Sequence, residues 1–138
     1  MRGNEATRQF SSGSWRASAF TLIELIIVLA IVALLLTLAV PRYFAHIERA
    51  KEATLKQDLA VMRDAIDKFY GDKGRYPESL EELVALRYMR SVPKDPITES
   101  TATWKTLPPN DSESKGSVFD VKSGAEGKSL DGKPYAEW

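Results

Sequence analysis

Few side chains in this 138-residue sequence are placed to do chemistry, and one of them, Glu24, is placed oddly. It sits near the start of SAFTLIELIIVLAIVALLLTLAVPRY, where no other charge precedes Arg42. A charged group at the centre of a bilayer costs about 2.5–3.5 kcal/mol on insertion scales. Two explanations stay open at this level: the carboxylate sits hydrated at headgroup depth, or it finds a cation. A second acidic set, Asp120, Glu126 and Asp131, lies in and just before the glycine-rich stretch SGAEGKSLDGKPY. Hard oxygen ligands on a flexible loop can hold calcium, and the plainer reading is that the acids solvate turns. His46 is the single histidine and has no nearby second ligand, so it defines no zinc site. The absence of cysteine removes disulfides, thiolate metal sites and cysteine nucleophiles. No nucleophile motif, phosphate-cradling glycine loop or paired-carboxylate arrangement stands out, so an enzyme is not expected.

The elements that must position these groups follow from length and patterning. The chain is long enough for one compact domain. Its 19 basic and 19 acidic residues produce no overall field for nucleic acid. The charge is nevertheless uneven: Arg2, Arg8 and Arg16 against Glu5 leave residues 1–19 at +2, and the remainder is at −2. Leu25 to Val40 is free of charge, and Thr37 is its one polar residue. With residues 20–24 the run spans roughly 31 Å as a helix, close to the hydrocarbon thickness of a bilayer. It is apolar on every side, which favours a membrane-spanning helix over a surface one. A basic leader before such a run keeps its positive end in the cytoplasm. An ordinary secretory signal would place its small-residue cleavage site after the run. Here the small triplet Ala17-Ser18-Ala19 precedes it, an order suited to a protease cutting on the cytoplasmic side. Pro41 either softens the helix or marks the boundary where its membrane segment ends.

FTLIEL, followed by an apolar run and Pro41, resembles the N-terminal segment of type IV pilins and type II secretion pseudopilins. The resemblance implies cutting by a prepilin peptidase between Ala19 and Phe20 and methylation of the new amine of Phe20. Ala19 stands where the family usually has glycine. Glu24 and Pro41 fall at the family's spacings from the cut, for its filament-assembly acid and its helix-softening proline. In such filaments the acid pairs with the terminal amine of a neighbouring subunit. This pairing fixes register, because a misaligned contact leaves a charge unpaired.

Beyond the run, Leu55, Leu59, Met62, Ile66 and Phe69 form one apolar stripe at steps of four, three, four and three. This predicts an amphipathic helix to about Tyr70 that packs on a small head, with Gly71 and Gly74 as its stop. Pro77 to Leu86 reads as a short helix with Leu80, Leu83 and Val84 inward. Residues 102–107, 118–121 and, more weakly, 135–138 read as strands whose sheet would bury the aromatic side chains.

The order Gly74-Arg75-Tyr76-Pro77, short helix, Asp95-Pro96 resembles the major, G-type, pseudopilins of type II secretion. The missing cysteine pair points the same way. The expected fold is α+β: a long N-terminal helix, its first half transmembrane, packed on a small antiparallel sheet with a short helix between. Expected segments are a cleaved leader at 1–19, a transmembrane segment at 20–41 and a periplasmic head at 42–138. The resemblance implies an inner-membrane pseudopilus subunit. Its partners would be copies of itself, other pseudopilins, the prepilin peptidase, the secretion platform and lipid, with no nucleic acid. It also implies calcium in the C-terminal loop, at Asp120, Glu126 and Asp131. Alternatives are a minor type IV pilin, a DNA-uptake pilus subunit, or a membrane-anchored binding module that does not polymerise.

Overall fold

A computed structural model describes Gly3 and residues 19–138. The basic leader and the Ala17-Ser18 pair therefore lie outside the described residues. In chain order the elements are helix α1 (Leu22–Lys73), helix α2 (Leu80–Ala85), strands β1 (Lys105–Leu107) and β2 (Asp120–Lys122), and a 3-10 turn at Tyr135–Glu137. The chain divides into two compact units, Met1–Ala39 and Val40–Trp138.

In the first unit α1 carries its leucines, isoleucines and valines exposed to the surroundings. An all-apolar helical surface of this length suits a bilayer, and α1 is long and apolar enough to cross one. The hydroxyl of Thr37 donates to the carbonyl of Ala33 at 2.8 Å, so the one polar side chain of the run has its donor satisfied within the helix.

In the second unit α1 continues through Pro41. The helix therefore does not end at Pro41. Proline withdraws one N–H from the helical ladder without ending the helix here. The predicted stripe is buried in full: Leu55, Leu59, Met62, Ile66 and Phe69 are all at or near zero exposure, joined by Ala65. Around them pack Leu80, Leu83, Met89, Trp104, Val118, Val121 and Tyr135. Gly71 lies inside the helix and does not stop it. An interior glycine costs only about 1 kcal/mol relative to alanine, less than burial of the Phe69 ring returns. The stop is Gly74, whose positive φ of 65° and N–H bond to the Tyr70 carbonyl at 2.8 Å close the last turn.

The short helix begins three residues later than the spacing predicts. Ser79 is its N-cap and accepts the N–H of Glu82 at 3.3 Å. The Glu82 carboxylate reaches back to the N–H of Glu78 at 2.7 Å and pairs with Arg75 at 2.6 Å. These bonds hold Pro77 and Glu78 in a turn. The hydrogen bond from Arg75, then that from Glu78, keeps the Glu82 carboxyl below its usual range.

Strands β1 and β2 form one antiparallel pair, Lys105 opposite Lys122, Thr106 opposite Val121 and Leu107 opposite Asp120. Residues 135–137 do not add a third strand; they form the 3-10 turn. Pro134 can donate nothing to a ladder, and the N–H of Tyr135 goes instead to the Gly127 carbonyl at 3.2 Å. Burial of the aromatics is partial: Trp104 and Tyr135 are buried, and Phe119 is 45% exposed. The Trp104 indole N–H donates to the Pro93 carbonyl at 2.8 Å.

Candidate assembly and tail-docking sites

The helix N-terminus carries the first site. Thr21 and Glu24 bond reciprocally: the Thr21 N–H donates to Glu24 Oε2 at 2.9 Å, and the Glu24 N–H donates to Thr21 Oγ1 at 3.3 Å. This is a capping box, two otherwise orphaned helix donors satisfied by two side chains. The Thr-x-x-Glu signature just ahead of an apolar run was available in the sequence, and the reading by charge alone passes it over. The cap also places the carboxylate at the positive end of the helix dipole. Phe20, one residue before the cap, is outside the helix and 88% exposed, so the Ala19–Phe20 peptide bond lies in non-helical, accessible backbone.

The second site is where the C-terminal segment meets the second unit's part of α1. Glu52 is buried at 7% exposure. Its Oε1 accepts the Leu130 N–H at 2.7 Å and the Tyr135 hydroxyl at 3.1 Å. Burial first, and then the bond to Glu52, push the Tyr135 hydroxyl up to about 12. One and three turns further along α1, Lys56 lies 4.5 Å over the Trp138 ring, and Arg63 binds the sheet. Arg63 Nε pairs with Asp120 Oδ1 at 2.8 Å, and its Nη2 donates to the Val121 carbonyl at 2.9 Å. Glu52 was missed by sequence reasoning, although it left a signal. It stands three residues before Leu55, in register with the apolar stripe, where a solvated charge does not belong.

Comparison with known proteins now bears on these sites. Residues 16–40 match the family model described as the prokaryotic N-terminal methylation motif. The chain is 34% identical over 71 residues to the type II secretion system core protein G of Aeromonas hydrophila, covering 51% of this chain and 50% of that protein. It is 30% identical over 97 residues to the core protein G of Klebsiella pneumoniae, covering 59% of this chain and 69% of that protein. The chain belongs to the type II secretion system core protein G family. It also resembles the type IV major pilin protein of Myxococcus xanthus, 35% identical over 68 residues, 49% of this chain and 31% of the pilin. The chain thus spans between about a third and about two thirds of the length of these relatives. No solved structure matches it.

For a core protein G the calcium expectation can be tested against the residues present. Asp120 is committed to Arg63 and to the N–H of Val121. Glu126 and Asp131 are exposed. Among the described residues no group of three or more histidine, aspartate or glutamate side chains is placed to hold a metal ion. The three predicted ligands are not brought together, and they do not fit a calcium site. His46 is exposed on α1.

Proposed function

We propose that the chain is a structural, non-enzymatic subunit of a type II secretion pseudopilus. In this reading it is made as a precursor with a cytoplasmic basic leader. It is cut between Ala19 and Phe20 and methylated on the new Phe20 amine. The apolar part of α1 spans the inner membrane once, and the second unit is the periplasmic head. In the filament, Glu24 meets the Phe20 amine of an adjacent copy, and Pro41 is a soft point in the helix. Partners are further copies, other pseudopilins, the prepilin peptidase, the secretion platform and lipid.

The observation that carries the reading is the coincidence at one short segment. The methylation-motif match covers the Ala19–Phe20 junction, and the same segment holds an exposed non-helical peptide bond followed directly by a capped helix that is free of charge from Leu25 to Val40. A peptidase needs the first feature and a membrane anchor the second. Intact-mass spectrometry of the membrane-extracted protein tests this. Loss of residues 1–19 with one added methyl group is expected. A full-length mass would leave only a non-polymerising anchor.

A further inference from the structure

We propose that the C-terminal segment of this chain is locked to α1 by two of the helix's own side chains, Glu52 and Arg63, and requires no calcium ion to close. The proposal concerns the fold of the head and does not rest on the filament reading.

The geometry supports it in three steps. First, a carboxylate as buried as Glu52 is costly unless it is hydrogen-bonded. Both of its donors, the Leu130 N–H and the Tyr135 hydroxyl, come from the tail. They bracket the turn that holds Asp131 and Gly132, so a single oxygen ties both ends of that loop to the helix. Second, the same turn closes on itself from Ser129 to Lys133. The Ser129 N–H donates to the Lys133 carbonyl at 2.8 Å, and the Lys133 N–H donates to Ser129 Oγ at 3.2 Å. Third, the local charge does not favour a cation. Asp120 already faces Arg63, and the cavity beside Asp131 is lined by Lys56, Arg63 and Lys133 against Asp131 and Glu137. Asp120 offsets Arg63, and Lys56 and Lys133 offset Asp131 and Glu137, so these side chains leave no net negative charge to attract a divalent cation. The chain supplies positive charge through a guanidinium, and a buried carboxylate collects one backbone and one side-chain donor of the tail.

The full chain in detergent micelles, with calcium chloride or the chelator EGTA as the probe, tests the proposal. Amide exchange at Leu130 and the thermal midpoint are expected to be the same in millimolar calcium and in excess EGTA. Glu52→Leu is expected to speed Leu130 exchange roughly tenfold to a hundredfold in both media, the factor for losing a hydrogen bond to a charged acceptor. Glu52→Gln keeps an acceptor oxygen and is expected to fall between. Should Glu52→Leu fail to fold, Tyr135→Phe removes one tie and keeps the ring, and a smaller acceleration insensitive to calcium is expected. A midpoint that rises with calcium, tail exchange that accelerates in EGTA, or Leu130 protection unchanged in every folded Glu52 and Tyr135 variant would overturn the proposal.

Discussion

Thr21 and Glu24 can be separated by mutation because each supplies a different half of one cap. Thr21→Ala removes Oγ1, the acceptor for the Glu24 N–H, and leaves the Thr21 N–H bonded to the carboxylate. Loss of an N-cap side chain costs about 0.5–2 kcal/mol of helix stability. That is small beside the apolar surface that the proposed bilayer setting would bury. Glu24→Ala removes the other half of the cap and, on the proposed assembly, also leaves a neighbour's amine buried without its partner. Breaking a buried pair from one side costs about 3–5 kcal/mol, or roughly two to four powers of ten in the contact's equilibrium constant. Glu24→Gln keeps an oxygen for the Thr21 N–H and abolishes only the charge. Co-expression with a prepilin peptidase, followed by sedimentation and electron microscopy of sheared fibres, reads out assembly. Near-normal fibres are expected for Thr21→Ala and none for Glu24→Ala or Glu24→Gln. Normal fibres from Glu24→Gln, or an assembly loss in Thr21→Ala as deep as in Glu24→Ala, would refute the charge-pairing argument and leave Glu24 as a cap alone.

The remaining predictions concern the second unit. Phe69→Ala empties a fully buried site whose ring packs edge-on to Tyr88 at 5.2 Å, so urea denaturation should show a loss of about 3–5 kcal/mol. Gly124→Ala would drive a methyl group into the Thr103 carbonyl oxygen, and a lowered thermal midpoint with about 1–3 kcal/mol lost is expected; an unchanged midpoint would show that this backbone approach is looser than described. Tyr135, with a usual value of 10.0, is raised to about 12 in the fold. A raised group contributes stability that is complete below about pH 10 and is lost as pH climbs through about 12. An alkaline titration followed by circular dichroism should show that loss in the parent chain, and Tyr135→Phe should flatten it.

The long helix was legible because its two patterns are long and unambiguous. An all-apolar run and a single stripe from Leu55 to Phe69 each require a helix, and every stripe position proved buried. Stops and starts were less legible, because they depend on which competing contact wins. Gly71 stays helical because Phe69 and Ile66 hold that turn in the core, and α2 starts late because Glu82 is drawn to Arg75 and the Glu78 N–H. The tail was the least legible part. Short segments of three residues carry almost no period, and Tyr135 was assigned to a strand when its hydroxyl was destined for a carboxylate 83 residues away. Reading Asp120 as a metal ligand failed for a similar reason. A carboxylate's commitment to Arg63 is a long-range fact that local composition does not encode.

The two anomalous carboxylates of α1 pose one physical problem and meet it differently. Glu52 and Glu24 each interrupt an apolar pattern; Glu52 is buried and needs donors within the fold, whereas Glu24 is exposed and would need one on the proposed assembly. Glu52 is satisfied within the chain, with two tail donors converging on its Oε1. Glu24 uses Oε2 for the Thr21 N–H, while an ionised carboxylate offers about four acceptor sites. The cap therefore does not exhaust it. A cation brought by a neighbouring helix can bind without displacing the Thr21 bond. Capping and pairing are then compatible in one side chain. Such compatibility is why Thr21→Ala is expected to weaken the helix end without costing the filament, whereas neutralising Glu24 removes the one group that can serve both.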